Sequence, residues 1–206
     1  MCMIEDAKRR FAQDSLPKTI VVVAPRILLA NQLSSEFLEF ITDVDVIHVH
    51  SGETHHNSTT KADQLEYWVN NSTENILIFT TYHSLHRISD SLDIEVDTIY
   101  FDEAHNSVQK NFYPATEHFS RNADRCYFFT ATPKHSRTTE KAGMNHTKTY
   151  GNVICQIPAP RLVKQGYILP PKVEVYRSRI LKKDELVADR DNEQMIGAID
   201  NLDKDK

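Results

Sequence analysis

Short apolar runs alternate along this chain with longer stretches that are apolar on one side only. Thr19-Ile20-Val21-Val22-Val23-Ala24 is β-branched for most of its length and offers no polar face. Such a run predicts a strand covered on both sides, as in a parallel sheet. Pro25 ends it, and apolar Leu28, Leu29, Leu33, Phe37 and Phe40 then recur on or near one face of a helix predicted over 27–41. The alternation continues with strands over 44–49, 75–79, 96–101 and 125–129, and helices over 62–69, 82–92 and beyond 105. Residues 51–60 are polar and read as a loop. Met3, Ile4, Ala7 and Phe11 predict an amphipathic helix over 2–14, with no capping residue before it.

Past residue 134 the pattern weakens. Residues 134–150 are polar and read as an extended loop with some helix. A short strand is expected over 153–157, a helix over 161–166 stopping at Gly166, and an alternating strand over 172–176. The charged tail from Lys182 reads as a solvated helix or a linker. Strands alternating with helices predict an α/β fold, a mainly parallel sheet sandwiched by helices. Its crossovers are right-handed, and its chemistry gathers at the carboxyl ends of the strands.

Composition narrows the function only slightly. The 206 residues carry 24 Lys and Arg against 29 Asp and Glu, a formal net charge of −5. Bulk charge therefore does not mark a nucleic-acid binder, and any such contact must come from backbone donors and a few local cations. Cys2, Cys126 and Cys155 match no metal or redox spacing, which fits a reduced, intracellular setting rather than secretion. No apolar run reaches the roughly 20 residues that a membrane span needs. Ten histidines raise the question of zinc, but His48/His50, His55/His56 and His83/His86 are completed by no convincing set of cysteines or carboxylates. Tyr67-Trp68 reads as core packing rather than a base-stacking platform.

Two segments carry chemistry. Ile99-Tyr100-Phe101 delivers the adjacent carboxylates Asp102 and Glu103 to a strand end, followed by Ala104 and His105. Phosphoryl transfer needs one carboxylate for Mg²⁺ and a second group to orient the attacking water. Adjacent carboxylates also serve as ordinary helix caps. Phe128-Phe129 delivers Thr130-Ala131-Thr132-Pro133 to another strand end, where the hydroxyls either sense a neighbouring site or merely build a turn.

Together, in this order, Asp-Glu-Ala-His and Thr-Ala-Thr-Pro resemble motifs II and III of superfamily 2 helicases. Residues 21–32 resemble motif Ia, residues 79–85 the motif Ib region, and residues 159–170 the closing stretch of the domain. The resemblance spans residues 1–176 and is nearest to DEAH-type helicases grouped with type III restriction-enzyme motor subunits. It implies a RecA-like, P-loop NTPase first motor domain over 1–176, with 177–206 a linker or the start of a second motor domain. It implies an ATP-hydrolysing, nucleic-acid-dependent helicase or translocase, with ATP and Mg²⁺ as cofactors and DNA as partner. Asp102 would bind Mg²⁺ and Glu103 would polarise the water. His105 would link the nucleotide site to the second domain, and Thr130 and Thr132 would couple hydrolysis to strand movement. Pro25, Arg26, Gln32, Thr80 and Thr81 would lie along the nucleic-acid backbone.

The chain departs from that family in one respect. None of its five glycines is followed by Lys-Ser or Lys-Thr, so the Gly-x-x-x-x-Gly-Lys phosphate loop is not among these residues. The expectation is a truncated motor fragment with little ATPase activity of its own, lacking the second motor domain that completes the site in cis. The competing reading is a non-catalytic nucleic-acid-binding or scaffold remnant of such a motor.

Overall fold

The computed structural model describes residues 2–13, 16–91, 94–138 and 141–172. The chain divides into two compact units, 1–153 and 154–206. The first is built on six strands: β1 (Thr19–Ala24), β2 (Val44–Val49), β3 (Asn57–Ser58), β4 (Asn75–Thr81), β5 (Thr98–Phe101) and β6 (Arg125–Phe128). They form one sheet in the order β3-β2-β4-β1-β5-β6, and every pairing is parallel. The helices of this unit are α1 (Cys2–Phe11), α2 (Ile27–Leu38), α3 (Ala62–Asn71), α4 (His86–Ser89), α5 (Tyr113–Asn122) and α6 (Thr147–Tyr150).

The all-apolar reading of β1 has a direct structural reason. Ile20, Val22 and Ala24 pack with Ile4, Ala7, Ala30 and Phe37 from α1 and α2. Val21 and Val23 face the other way, onto Leu65, Leu85, Ile88 and Phe119 from the opposite layer. A central parallel strand needs apolar side chains on both sides because helices cover both faces. Helix α1 is also tied to β5 and the residue before it. Arg10 forms an ion pair with Asp97 in which both side chains are about 12% exposed, and the Tyr100 hydroxyl donates to Asp6 Oδ2 at 2.7 Å.

Several expected elements take another form. Residues 82–92 do not make one helix. Ser84 and Leu85 N–H both turn back to the Thr81 carbonyl, leaving only the single turn α4. The polar 51–60 segment contains the short edge strand β3, held in register by Ile47 and His48 of β2. After Asp102 the chain makes a 3₁₀ turn, Ala104–Asn106, and α5 begins only at Tyr113. Trp68 packs against the core, but Tyr67 on the same helix is 65% exposed, so only one of that pair is a packing residue.

In the second unit, residues 154–157 form no strand, and Ile154 is 83% exposed. β-branched composition makes a strand only where an edge is available to pair with it. Helix α7 (Ala159–Lys164) ends as expected just before Gly166, whose φ of +77° provides the left-handed stop. The expected strand over 172–176 lies, apart from Lys172, outside the described residues, as does the tail. Among the described residues no helix is long and apolar enough to cross a membrane.

Candidate functional site

Strand β5 is buried at all four positions and lies between β1 and β6. Asp102 is the first residue past it, and its N–H still donates to the Val23 carbonyl at 2.9 Å. The next residue breaks the ladder. Glu103 has φ 45° and ψ 50°, the left-handed region, which L-residues with a Cβ seldom occupy. That conformation turns the chain sharply, and the turn is pinned when Ala104 N–H donates to the Phe129 carbonyl at 2.8 Å. Two carboxylates are thereby held side by side at the carboxyl rim of the sheet.

Their environments differ. Burial is the main cause that pushes the Asp102 carboxyl above its usual value. The Glu103 and Glu36 charges act in the same direction, and a hydrogen bond from the Glu103 backbone opposes them. Asp102 is thus a partly buried anion short of positive compensation. Its oxygen donors suit a hard cation such as Mg²⁺, which takes one or two carboxylates together with phosphate and water oxygens. The Glu103 side chain is 47% exposed and free to face solvent.

One ring nitrogen joins this turn to the loop after β6. His105 Nδ1 lies 3.1 Å from Thr130 Oγ1, 3.3 Å from Thr132 Oγ1 and 3.3 Å from Glu103 Oε2. Thr132 N–H donates to Thr130 Oγ1 at 3.1 Å, which holds the two hydroxyls together. A single Nδ1 can donate one proton or accept one, so the carboxylate and the hydroxyls compete for it. Four of the residues named as catalytic in the sequence, Glu103, His105, Thr130 and Thr132, are therefore joined at this nitrogen, and Asp102 precedes Glu103 on the same turn.

Tyr82 belongs to the same constellation, although its sequence position gave no sign of it. Its side chain is 2% exposed, and its hydroxyl donates to the Asp102 carbonyl at 2.7 Å. Its N–H donates to the Ala24 carbonyl at 3.3 Å. The ends of β4, β1 and β5 are thus stapled by one residue. The only sequence signal is a tyrosine following a buried strand, where a phenylalanine would fill the same space.

The residues expected along a nucleic-acid strand are divided. Arg26 is exposed and extended ahead of α2, and Pro25 beside it is partly buried. Gln32 is exposed, with its amide donating to Glu36 one turn on at 2.8 Å. Thr80 and Thr81 are interior, at 0% and 4% exposure. The Thr80 hydroxyl donates to the Val49 carbonyl at 2.8 Å, so it binds β4 to β2 rather than pointing outward.

The model of the type III restriction enzyme res subunit matches residues 1–135. The chain belongs to that family. It is a superfamily 2 helicase motor domain of the RecA-like type. Among solved structures, it is similar to a nuclease-deletion mutant of the type ISP restriction-modification enzyme LlaGI, solved with a DNA substrate mimic. That likeness has 19% identity and a TM-score of 0.66, and covers 80% of this chain and 15% of that one. The ATP-dependent type ISP enzyme LlaBIII bound to DNA gives 18% identity and a TM-score of 0.62, covering 80% of this chain and 13% of that one. The Hef helicase domain of Pyrococcus furiosus gives 19% identity and a TM-score of 0.51, covering 72% of this chain and 30% of that one. The helicase domain therefore spans under a third of the length of each of these proteins. No curated protein sequence matches it.

Proposed function

We propose that this domain carries the carboxylate half of an ATP-hydrolysing site in a motor that moves along nucleic acid, DNA in the first instance. One observation carries the reading. Asp102 and Glu103 stand together at the carboxyl rim, and the same turn is joined through His105 to Thr130 and Thr132. A scaffold has no use for two unneutralised carboxylates on a left-handed turn.

In this reading Asp102 would hold Mg²⁺, which would supply charge neutralisation for phosphoryl transfer. Glu103 orients the attacking water and accepts its proton. His105 exchanges its Nδ1 partner between Glu103 and the threonine hydroxyls, so a change at the carboxylate is felt in the loop after β6. Arg26 and Gln32 face the strand backbone, a sequence-independent contact. Thr80 and Thr81 support that rim from inside. The phosphate-cradling Gly-Lys loop is not among these residues, so the 206-residue chain alone turns over little ATP. The working domain is proposed to run over 1–176, with 177–206 leading onward.

The test is Glu103→Gln in the full protein bearing this domain. DNA-stimulated ATP turnover should fall by about 100-fold, the typical size of a general-base contribution, with DNA affinity unchanged. An unchanged turnover rate would remove the proposal. Competition between matched DNA and RNA strands decides the substrate.

A further inference from the structure

A second cluster of titratable groups lies away from the carboxylates, at the carboxyl end of β2. His48 and His50 point to the same face of the strand and are 0% and 2% exposed. Their hydrogen bonds determine where each proton sits. Gly52 N–H donates to His50 Nδ1 at 3.2 Å, so that nitrogen is the acceptor and the neutral ring carries its proton on Nε2. His50 Nε2 faces His48 Nδ1 at 2.9 Å, and therefore donates to it. His48 then carries its own proton on Nε2, which faces Ser34 Oγ of α2 at 3.1 Å. Three bonds run in one direction, from a loop amide through two imidazoles to a helix.

This relay works only with both rings neutral. A second proton on His50 Nδ1 would meet the Gly52 N–H, and one on His48 Nδ1 would meet the His50 Nε2–H. Among the described residues no carboxylate is hydrogen-bonded to either ring. Phe79 of β4 stacks on His48 with centroids 5.5 Å apart, and Phe37 of α2 lies edge-on to Phe79. His56, from the loop ahead of β3, stacks on His48 at 5.5 Å with planes 3° apart. His50 and His56 both resist a positive charge on His48, adding to the effect of burial. Glu53 and His55 on the loop are exposed.

The loop that begins at this relay forms one wall of a polar cleft of about 810 Å³, and Asn31, Ser34 and Ser35 of α2 line the other side. Two further contacts seat the loop. Asn31 Nδ2 donates to the Glu53 carbonyl at 3.1 Å, and Gly52 sits so close to Ile27 that a Cβ would lie 2.5 Å from its Cγ2. We infer that His50, His48 and Ser34 form a proton-operated latch: while both imidazoles are neutral, loop 51–56 is held against α2, and one added proton releases it and widens the cleft. The latch does not depend on the nucleotide site.

The test is an acid titration of the ¹⁵N-labelled 206-residue chain. At pH 7.5 two-bond imidazole spectra should show both buried rings as Nε2–H tautomers. Burial holds His48 down to about 4. With the latch open, His48 would titrate near the ordinary 6.5, so the protection factor of the Gly52 amide should fall roughly tenfold per pH unit between those values. In the double variant His48→Gln/His50→Asn the new amides can still donate to Ser34 and accept from Gly52 without titrating, and the acid dependence should vanish. An Nδ1–H tautomer on either ring, a flat protection factor in the native chain, or an unchanged slope in the double variant would each overturn the latch.

Discussion

Glu103 separates stability from function at a single position. Its φ of 45° costs an L-residue about 1–2 kcal/mol, because Cβ crowds the following carbonyl. Replacing it with glycine removes that cost but adds about 0.5–1 kcal/mol of backbone entropy to be lost on folding. The contact given up is the 3.3 Å approach of Glu103 Oε2 to His105, and at 47% exposure it is worth little. Relief of the repulsion between Glu103 and Asp102 acts in the same direction as the gain. Glu103→Gly should therefore stabilise the domain by about 0.5–1 kcal/mol, while Glu103→Ala, which keeps the strained backbone, should be close to neutral.

For a chain of this size that difference raises Tm by about 1–4 °C. Urea unfolding of native, Gly and Ala proteins side by side measures it. Asp43, in the left-handed region at φ 59°, serves as a control, with a smaller gain because aspartate tolerates that conformation better. In the proposed motor both Glu103 variants lose ATP turnover equally. A Gly variant no more stable than the Ala variant would refute the argument that strain is stored at this turn.

Three further outcomes follow from the same contacts. Phe101→Ala should cost about 3–5 kcal/mol in urea unfolding, because the ring is fully buried and stacked on Phe128 at 4.9 Å. Tyr82→Phe should cost about 1–2 kcal/mol by leaving the Asp102 carbonyl without its donor, with the near-ultraviolet dichroism of the core otherwise preserved. Arg10→Met should cost about 1–2 kcal/mol at pH 7, because Asp97 is left as a partly buried anion without its guanidinium partner. Burial opposes ionisation of Asp97, but the Arg10 and Thr98 hydrogen bonds outweigh it and hold the native carboxyl below its ordinary value. The stabilisation from the pair is therefore complete above that ordinary value and lost as pH falls through the depressed one, so the gap between native and Arg10→Met should close in acid.

The parts of the structure legible in the sequence are those set by local composition. The β1, β4 and β5 runs were readable because a strand buried on both faces must be apolar throughout. Asp102 and Glu103 were readable because adjacent carboxylates after such a run can only emerge at its end. Contacts between distant residues left no such trace. Nothing near Thr80 marks its hydroxyl as bonded to Val49, 31 positions away, so an internal tie looked like a surface group. Tyr82 meets Asp102 across 20 positions, and His48 meets Ser34 across 14. The histidines raised a question about metal, whereas the geometry makes them a directional hydrogen-bond relay. Residues 154–157 failed for the converse reason, since β-branched composition was present with no strand paired to it among the described residues.

The way the rim is tied determines which of its parts can move. Asp102 is held at both ends of its backbone, by N–H to Val23 and by carbonyl to Tyr82, and Tyr82 is itself bonded to Ala24. Backbone displacement at Asp102 would have to drag β1 and β4 with it, breaking a packed core that resists graded deformation. Glu103 is the next residue and the strained one, and its carboxylate shares His105 with Thr130 and Thr132. If charge at the carboxylates is to alter the loop after β6, the route that costs least is a change of partner at His105 Nδ1, with Asp102 as the fixed point. A two-state element of this kind, biased from both ends, is the physical requirement for coupling. It places the switch in the histidine's hydrogen bond rather than in the strand that carries Asp102.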